Sequence, residues 1–257
     1  MDFASKSALY FDAIAPHYDE DLARDTWTRS AFHQLVMQYV PPGSLVLDFG
    51  CGTGTDAAWY ASQGLRVAAC DVSAGMLAEL EKKCSAEIAS GTITTFHAGY
   101  DGLLQLPLPE KPAAVMCNFA VLSLIPDLRP VFAAFANYVQ PGGYVVISML
   151  NPLFWKSFRD LWWWKLVFLS IGKGRARVQG QQHDTYRYFV KHMTKAAAPH
   201  FVKVDQASVD TWISSAGCRN EWSAPQTFGQ RMETRLWKAP VLRGLGRFVF
   251  VVYRRCV

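Results

Sequence analysis

The sequence has little of what marks several large classes of protein. Its six cysteines (Cys51, Cys70, Cys84, Cys117, Cys218 and Cys256) form no CxxC pair and no regular framework, so neither a zinc ribbon nor a disulfide-stapled scaffold is expected. Several lie inside apolar runs, where a reduced thiol behaves as a small hydrophobe. No HxxxH or Cys/His spacing points to a metal. The first twenty residues lack the basic and apolar regions of a signal peptide. The most hydrophobic stretch, Leu153 to Ile171, is broken by Lys156, Arg159, Asp160 and Lys165, whereas a spanning helix needs ~20 mostly apolar residues. No transmembrane segment is expected, and a cytoplasmic location is. There is no repeat at solenoid or propeller spacing. Charged residues make up only 18%, which excludes a charge-rich disordered chain.

What is present is 257 residues, 51% of them apolar, the length of one large domain or two small ones. The net charge of +5 conceals a division. Residues 1–151 carry 8 Lys/Arg against 15 Asp/Glu, and residues 152–257 carry 18 against 6. The first part is no nucleic-acid binder by charge, while the second could face an anionic surface or ligand.

From Ser44 to Ser148 short apolar runs alternate with helical patterns. Leu45–Phe49, Arg66–Cys70, Thr94–His97, Ala114–Cys117 and Tyr144–Leu150 read as strands, and Thr55–Gln63, a helix capped by Ser73, and Asp127–Val139 read as helices. Strands alternating with helices predict an α/β fold with a parallel sheet covered on both faces. After Asn151-Pro152 the rhythm changes. Strand-like stretches are expected within His183–Met193, Phe201–Gln206, Cys218–Ser223 and Arg247–Arg254, with a helix over Val209–Ala216. The simplest organisation is an insertion over 152–205 into a sheet completed over 206–257.

The most informative segment is Asp48-Phe49-Gly50-Cys51-Gly52-Thr53-Gly54. Three alternate glycines after a strand let the backbone approach a ligand where a side chain would clash. Asp71 ends the second strand, and a carboxylate there can accept from both hydroxyls of a ribose. A dinucleotide fingerprint would have its third glycine where Thr55 stands. At this point the chain resembles the class I S-adenosylmethionine-dependent methyltransferases, through most of residues 10–150. Five segments carry the likeness in order: Tyr10–Asp19, Val46–Gly54, Asp71–Leu77, Asn118–Leu122 and Val139–Gly143. The resemblance implies a Rossmann-like, seven-stranded, mostly parallel sheet sandwiched by helices, with an N-terminal helical lid over 1–43, a cofactor-binding half over 44–151 and an aromatic-rich α+β insertion after the fifth strand. It implies S-adenosylmethionine as cofactor and S-adenosylhomocysteine as product. Asp48, Gly50 and Gly52 would surround the methionine portion, with Tyr18 closing over it. Asp71 would hold the ribose, Val72 and Met76 would sandwich the adenine, and Tyr100 or Asp101 would meet its amino edge. The backbone around Asn118 and Phe119 would line the sulfonium side. The chain departs from the family pattern at Pro112-Ala113, where Phe-Asp is common, and at Ser123, where a histidine is common.

The acceptor is read from the insertion. Trp155, Trp162, Trp163 and Trp164 fall within ten residues, and six basic residues from Lys156 to Arg177 surround them against Asp160 alone. This composition suits the boundary of an anionic membrane or a mouth for a small lipophilic acceptor, and equally a core between cap and sheet. Trp155, Trp162, Tyr186 and Tyr188 are the candidate acceptor contacts. His17 and His183 are the candidate general bases, each also readable as a surface histidine. Nucleic acid fits less well, because no recognition module accompanies the basic half. Two further readings stay open: a non-catalytic cofactor-binding subunit, and an RNA methyltransferase using that half. Oligomeric state is not legible.

Overall fold

The computed structural model of the chain describes residues 3–22, 25–99, 106–159, 164–165, 167–168, 174–179, 184–214 and 218–256. Three helices precede the sheet: α1 (Phe3–Ile14), α2 (Tyr18–Leu22) and α3 (Thr26–Val36). The alternating part comprises β1 (Leu45–Phe49), α4 (Thr55–Ser62), β2 (Arg66–Asp71), α5 (Ala74–Lys83), α6 (Ser85–Ala89), β3 (Ile93–His97), β4 (Ala114–Cys117), α7 (Arg129–Tyr138) and β5 (Tyr144–Leu150). A hairpin of β6 (Arg175–Gln179) and β7 (Asp184–Tyr188) follows, then α8 (Val190–Ala197), β8 (Phe201–Val209), α9 (Phe228–Leu236) and β9 (Phe248–Arg255).

Among the described residues the main sheet has seven strands in the order β3-β2-β1-β4-β5-β9-β8. β1 pairs parallel with β2 and β4, and β9 pairs antiparallel with both β5 and β8. All five residues of β1 are buried, as a strand covered on both faces requires. The two-residue period divides the core. Val249, Val251 and Tyr253 of β9 join Phe132 and Phe135 of α7 in one layer, while Phe248, Phe250 and Val252 join Phe32 of α3 and Tyr60 of α4 in the other. This is the expected α/β sandwich.

The N-terminal helices are fastened over the strand ends by acids. Asp12 Oδ1 accepts from Ser73 Oγ at 2.6 Å and from Gly75 N at 2.8 Å, and Asp19 Oδ1 accepts from Thr53 Oγ1. Ser73 caps α5 as expected, its Oγ accepting from Met76 N.

Several expectations after residue 150 are corrected. The strand expected within His183–Met193 ends at Tyr188, and the remainder enters α8. β8 lies in the main sheet and crosses the boundary expected between 205 and 206. In place of a helix from Val209, the chain finishes β8 and turns at Asp210, whose φ is +64°. The turn is held because Glu233 Oε1 accepts from Thr211 N at 2.6 Å. Cys218–Ser223 is irregular and turns at Trp222 rather than forming a strand, because Trp222 is drawn between the tilted rings of Trp27 and Trp237, with ring centres 4.8 and 4.9 Å away. α9 was not anticipated, although Thr227 and Gln230 form a complete capping box at its start. All six cysteines are free thiols, four of them buried. No helix among the described residues is long and apolar enough to cross a membrane.

Glu233 is fully buried, with Asp210 and Lys156 as its charged neighbours and no partner for Oε2 among the described residues. Burial pushes its carboxyl up from the usual 4.5 to about 7. The folded chain therefore holds a proton that the unfolded chain releases. That stability is complete below about pH 4.5 and is lost as the pH rises through about 7. Glu233→Gln should raise the melting temperature at about pH 8 by roughly 5 °C relative to the parent, with little gain near pH 5. Thermal melts across that range check it.

Candidate active site

Strand order reverses between β1 and β4, and the crevice this leaves at the carboxyl ends of the strands holds a cavity of about 230 Å³. One wall is the loop after β1, where Gly50 and Gly54 have φ of +76° and +78°. A Cβ at Gly50 would lie 2.5 Å from Val121 Cγ1, and one at Gly54 would lie 2.4 Å from Leu80 Cγ. Both positions therefore require glycine for space as well as for conformation. Across Gly52 sits the Tyr18 ring, whose hydroxyl is pushed above its usual range by burial, partly offset by the Arg29 charge.

Asp71 closes the end of β2. Its Oδ2 accepts from Gly52 N at 2.8 Å and its Oδ1 from Ser73 N at 2.9 Å. Each oxygen keeps a lone pair for another donor. Burial raises this carboxyl above its usual range, and the Ser73 and Gly52 N–H groups partly offset the rise.

The facing wall is the exit of β4. Phe119 and Ala120 have φ of +48° and +61°, a conformation that costs energy in residues other than glycine. Asn118 holds the turn, its Oδ1 accepting from Phe119 N at 2.8 Å while its Nδ2 donates to Asp56 Oδ2 at 3.1 Å. Asp56 Oδ1 also meets Arg29 Nη1 and His33 Nε2, each at 2.6 Å. Burial alone would raise the Asp56 carboxyl, but Arg29 and His33 outweigh it and hold the group well below the ordinary carboxylate range. The Arg29 guanidinium lies 4.5 Å from the centre of the Phe119 ring.

Of the residues expected to hold the cofactor, Tyr18, Gly50, Gly52 and Asp71 line the cavity, as do Val72, Met76, Asn118 and Phe119. Asp48 is absent from the lining. It is 1% exposed, and its Oδ2 has no partner among the described residues. Burial, reinforced by the Asp56 charge, pushes its carboxyl well above the usual carboxylate range. Tyr100, Asp101, Trp162 and His183 lie outside the described residues. His17 is on the surface beside Glu20 and does not line the cavity. Trp155 stands at the outer face, its Nε1 donating to Thr211 O at 2.8 Å. Tyr186 and Tyr188 are core residues, and the Tyr188 hydroxyl donates to Ile125 O at 2.6 Å. The side chain of β7 that reaches the cavity is Thr185, because successive residues of a strand point to opposite faces. Arg29 and Asp56 went unnoticed in the sequence. The one signal was that Asp56 follows the glycine loop directly, in the first turn of α4.

Known proteins share both the sequence and the architecture. Residues 46–143 match the family described as "Methyltransferase domain". The chain is 30% identical over 230 residues to the demethylmenaquinone methyltransferase of Thermobifida fusca, covering 86% of this chain and 90% of that protein. It is 42% identical over 215 residues to the enzyme of the same name from Paenarthrobacter aurescens, covering 82% and 77%. The chain belongs to the S-adenosylmethionine-dependent methyltransferases. Its fold is similar to that of the Burkholderia thailandensis 1,6-didemethyltoxoflavin-N1-methyltransferase, which was solved with 1,6-didemethyltoxoflavin and S-adenosylhomocysteine. The TM-score is 0.64 at 16% identity, over 99% of this chain and 89% of that one. This methyltransferase thus uses S-adenosylmethionine, and the cavity suits that molecule. It offers a buried acid, a buried cation and side-chain-free backbone to a ligand that carries a diol, a carboxylate and a flat base.

Gly50→Ala should lower the stability of the methyltransferase by roughly 2–4 kcal/mol, since it adds both strain at positive φ and overlap with Val121. A urea-unfolding series measures it.

Proposed function

We propose that this methyltransferase moves a methyl group to a small, largely apolar acceptor held in the same cavity as the cofactor. The observation that carries the reading is the composition of the cavity wall. Asp71, Asp56 and Arg29 are its charged residues, while Phe11, Val121, Leu124, Ile125 and Leu150 add a large apolar share. The relatives named above act, by name, on demethylmenaquinone.

When bound, S-adenosylmethionine supplies an electrophilic methyl group on a sulfonium. The free lone pairs of Asp71 suit the two ribose hydroxyls, and Arg29 suits the methionine carboxylate. Val72 and Met76 offer apolar faces to the adenine. Gly50 and Gly52 let the backbone come close, and Tyr18 closes over them. For Asp48, its burial and its absence from the cavity lining favour a structural role. In-line displacement needs the two reacting atoms held at ~3–3.5 Å with water excluded. The Asp12 and Asp19 fastenings serve that by keeping the N-terminal helices over the cavity. Asp71→Ala should weaken S-adenosylhomocysteine binding by about 100-fold in calorimetric titration, in keeping with the loss of two charge-assisted hydrogen bonds. Undiminished binding would remove Asp71 from the site.

A second element of the proposal is peripheral docking at an anionic membrane. Trp155, Trp212 and Phe228 are 43%, 47% and 78% exposed. The segments bearing the first two are tied together, because Trp155 Nε1 donates to Thr211 O and Lys156 Nζ donates to Ile213 O. Half-exposed tryptophans among Lys and Arg suit a bilayer boundary. The protein should float with phosphatidylglycerol vesicles at low salt, and replacing Trp155, Trp212 and Phe228 by Ser should reduce the floating fraction severalfold. If the parent protein stays in the pellet, the docking element is wrong.

A further inference from the structure

Ser7 is 4% exposed, lines the cavity, and its hydroxyl has no hydrogen-bond partner among the described residues. A buried hydroxyl without a partner is unfavourable, so the arrangement makes sense where a ligand supplies the missing bond. Ser7 sits on α1 one turn before Phe11, which also lines the cavity, so both side chains occupy the same helical face. That face is fixed, because Asp12 fastens α1 to the start of α5.

Two more hydroxyl residues line the cavity from other elements. Ser123 lies in the turn after β4, where among the described residues its Oγ has the Met149 sulfur, at 3.8 Å, as a weak acceptor. Thr185 comes from β7, and the Tyr188–Ile125 hydrogen bond pins that hairpin to the end of the same turn. Phe11, Val121, Leu124, Ile125 and Leu150 line the same cavity. The charged lining residues are Arg29, Asp56 and Asp71, of which Arg29 and Asp56 are paired with each other.

We infer that this chamber beneath α1, rather than the tryptophan-rich face, is the acceptor subsite, and that the Ser7 hydroxyl bonds an oxygen of an uncharged, largely apolar acceptor. Ser123 and Thr185 offer further hydroxyls to the same molecule. The inference rests on the methyl-transfer reading above and adds to it the location of the acceptor and its chemical class: an apolar body carrying a hydroxyl or carbonyl oxygen.

The test uses the full chain saturated with S-adenosylhomocysteine and three probes of one ring skeleton: 2-naphthol, naphthalene and 2-naphthoate. Calorimetric titration should rank 2-naphthol about tenfold tighter than naphthalene, the value of one hydrogen bond, with the charged 2-naphthoate weaker than both. Ser7→Ala should bring 2-naphthol down to the level of naphthalene, and Ser7→Thr should retain most of the difference. Affinity for S-adenosylhomocysteine should be the same in all three proteins. Ser7→Ala should melt at or above the parent temperature, because it removes an unpaired buried hydroxyl, so misfolding does not confound the comparison. Absence of 2-naphthol binding, equal binding of naphthalene, or an unchanged 2-naphthol affinity in Ser7→Ala would each overturn the inference. Failure of the parent to bind S-adenosylhomocysteine would instead overturn the cofactor assignment on which it rests.

Discussion

One buried carboxylate joins the parts of this molecule that form its site. Asp56 lies in the first turn of α4, just after the glycine loop, yet its partners come from elsewhere: Arg29 and His33 from α3, and Asn118 from the exit of β4. The helix in front of the sheet, the loop after β1 and the strained turn after β4 are therefore positioned against a single charge. Removing one partner from such a network leaves a buried charge uncompensated, which typically costs ~3–5 kcal/mol. The same network presses the Arg29 guanidinium onto the ring of Phe119, a residue held at positive φ. Backbone strain of that kind persists only where its surroundings over-determine it, and here the surroundings are Asn118, Asp56 and Arg29.

The polarity of the cavity follows from that arrangement. Charge is concentrated where α3 and the β2 tip meet the glycine loop, and it is balanced there by Asp56 against Arg29 and by backbone N–H groups against Asp71. Asp48 lies behind the same loop, its Oδ2 without a partner among the described residues, and burial raises its carboxyl well above the usual range. Apolar side chains and hydroxyls make up much of the remaining lining. Methyl transfer from a sulfonium suits such a wall, because the reaction is governed by alignment and exclusion of water more than by covalent help from the protein.

The insertion after β5 divides its work between two surfaces. Its hairpin turns inward, where Tyr186 and Tyr188 complete the core and Thr185 reaches the cavity. Its described tryptophans, Trp155 and Trp164, face outward instead, beside the basic half of the chain. Trp155 and Trp164 thus belong to an outer face, while Thr185 of the same insertion reaches the inner wall.

The sequence by itself determined the alternating half of the fold. Five strands between Leu45 and Leu150 follow from short apolar runs bounded by glycine and proline, and the glycine loop and Asp71 follow from local spacing, because the ligand-facing backbone and its acid lie at fixed distances along one βαβ unit. Tertiary structure alone decided the rest. Thr211 is turned by Glu233, twenty-two residues away, and Trp222 is drawn between Trp27 and Trp237, so local pattern misread both segments. Arg29 became a site residue only because Asp56 and Phe119 were folded against it. Ser7 became a cavity residue only because Asp12 fastens α1 across the strand ends. A helical serine or arginine carries no local mark of what it will face, since that is set by contacts between residues far apart in the chain. Periodicity records which side of an element is buried, and packing alone decides against what.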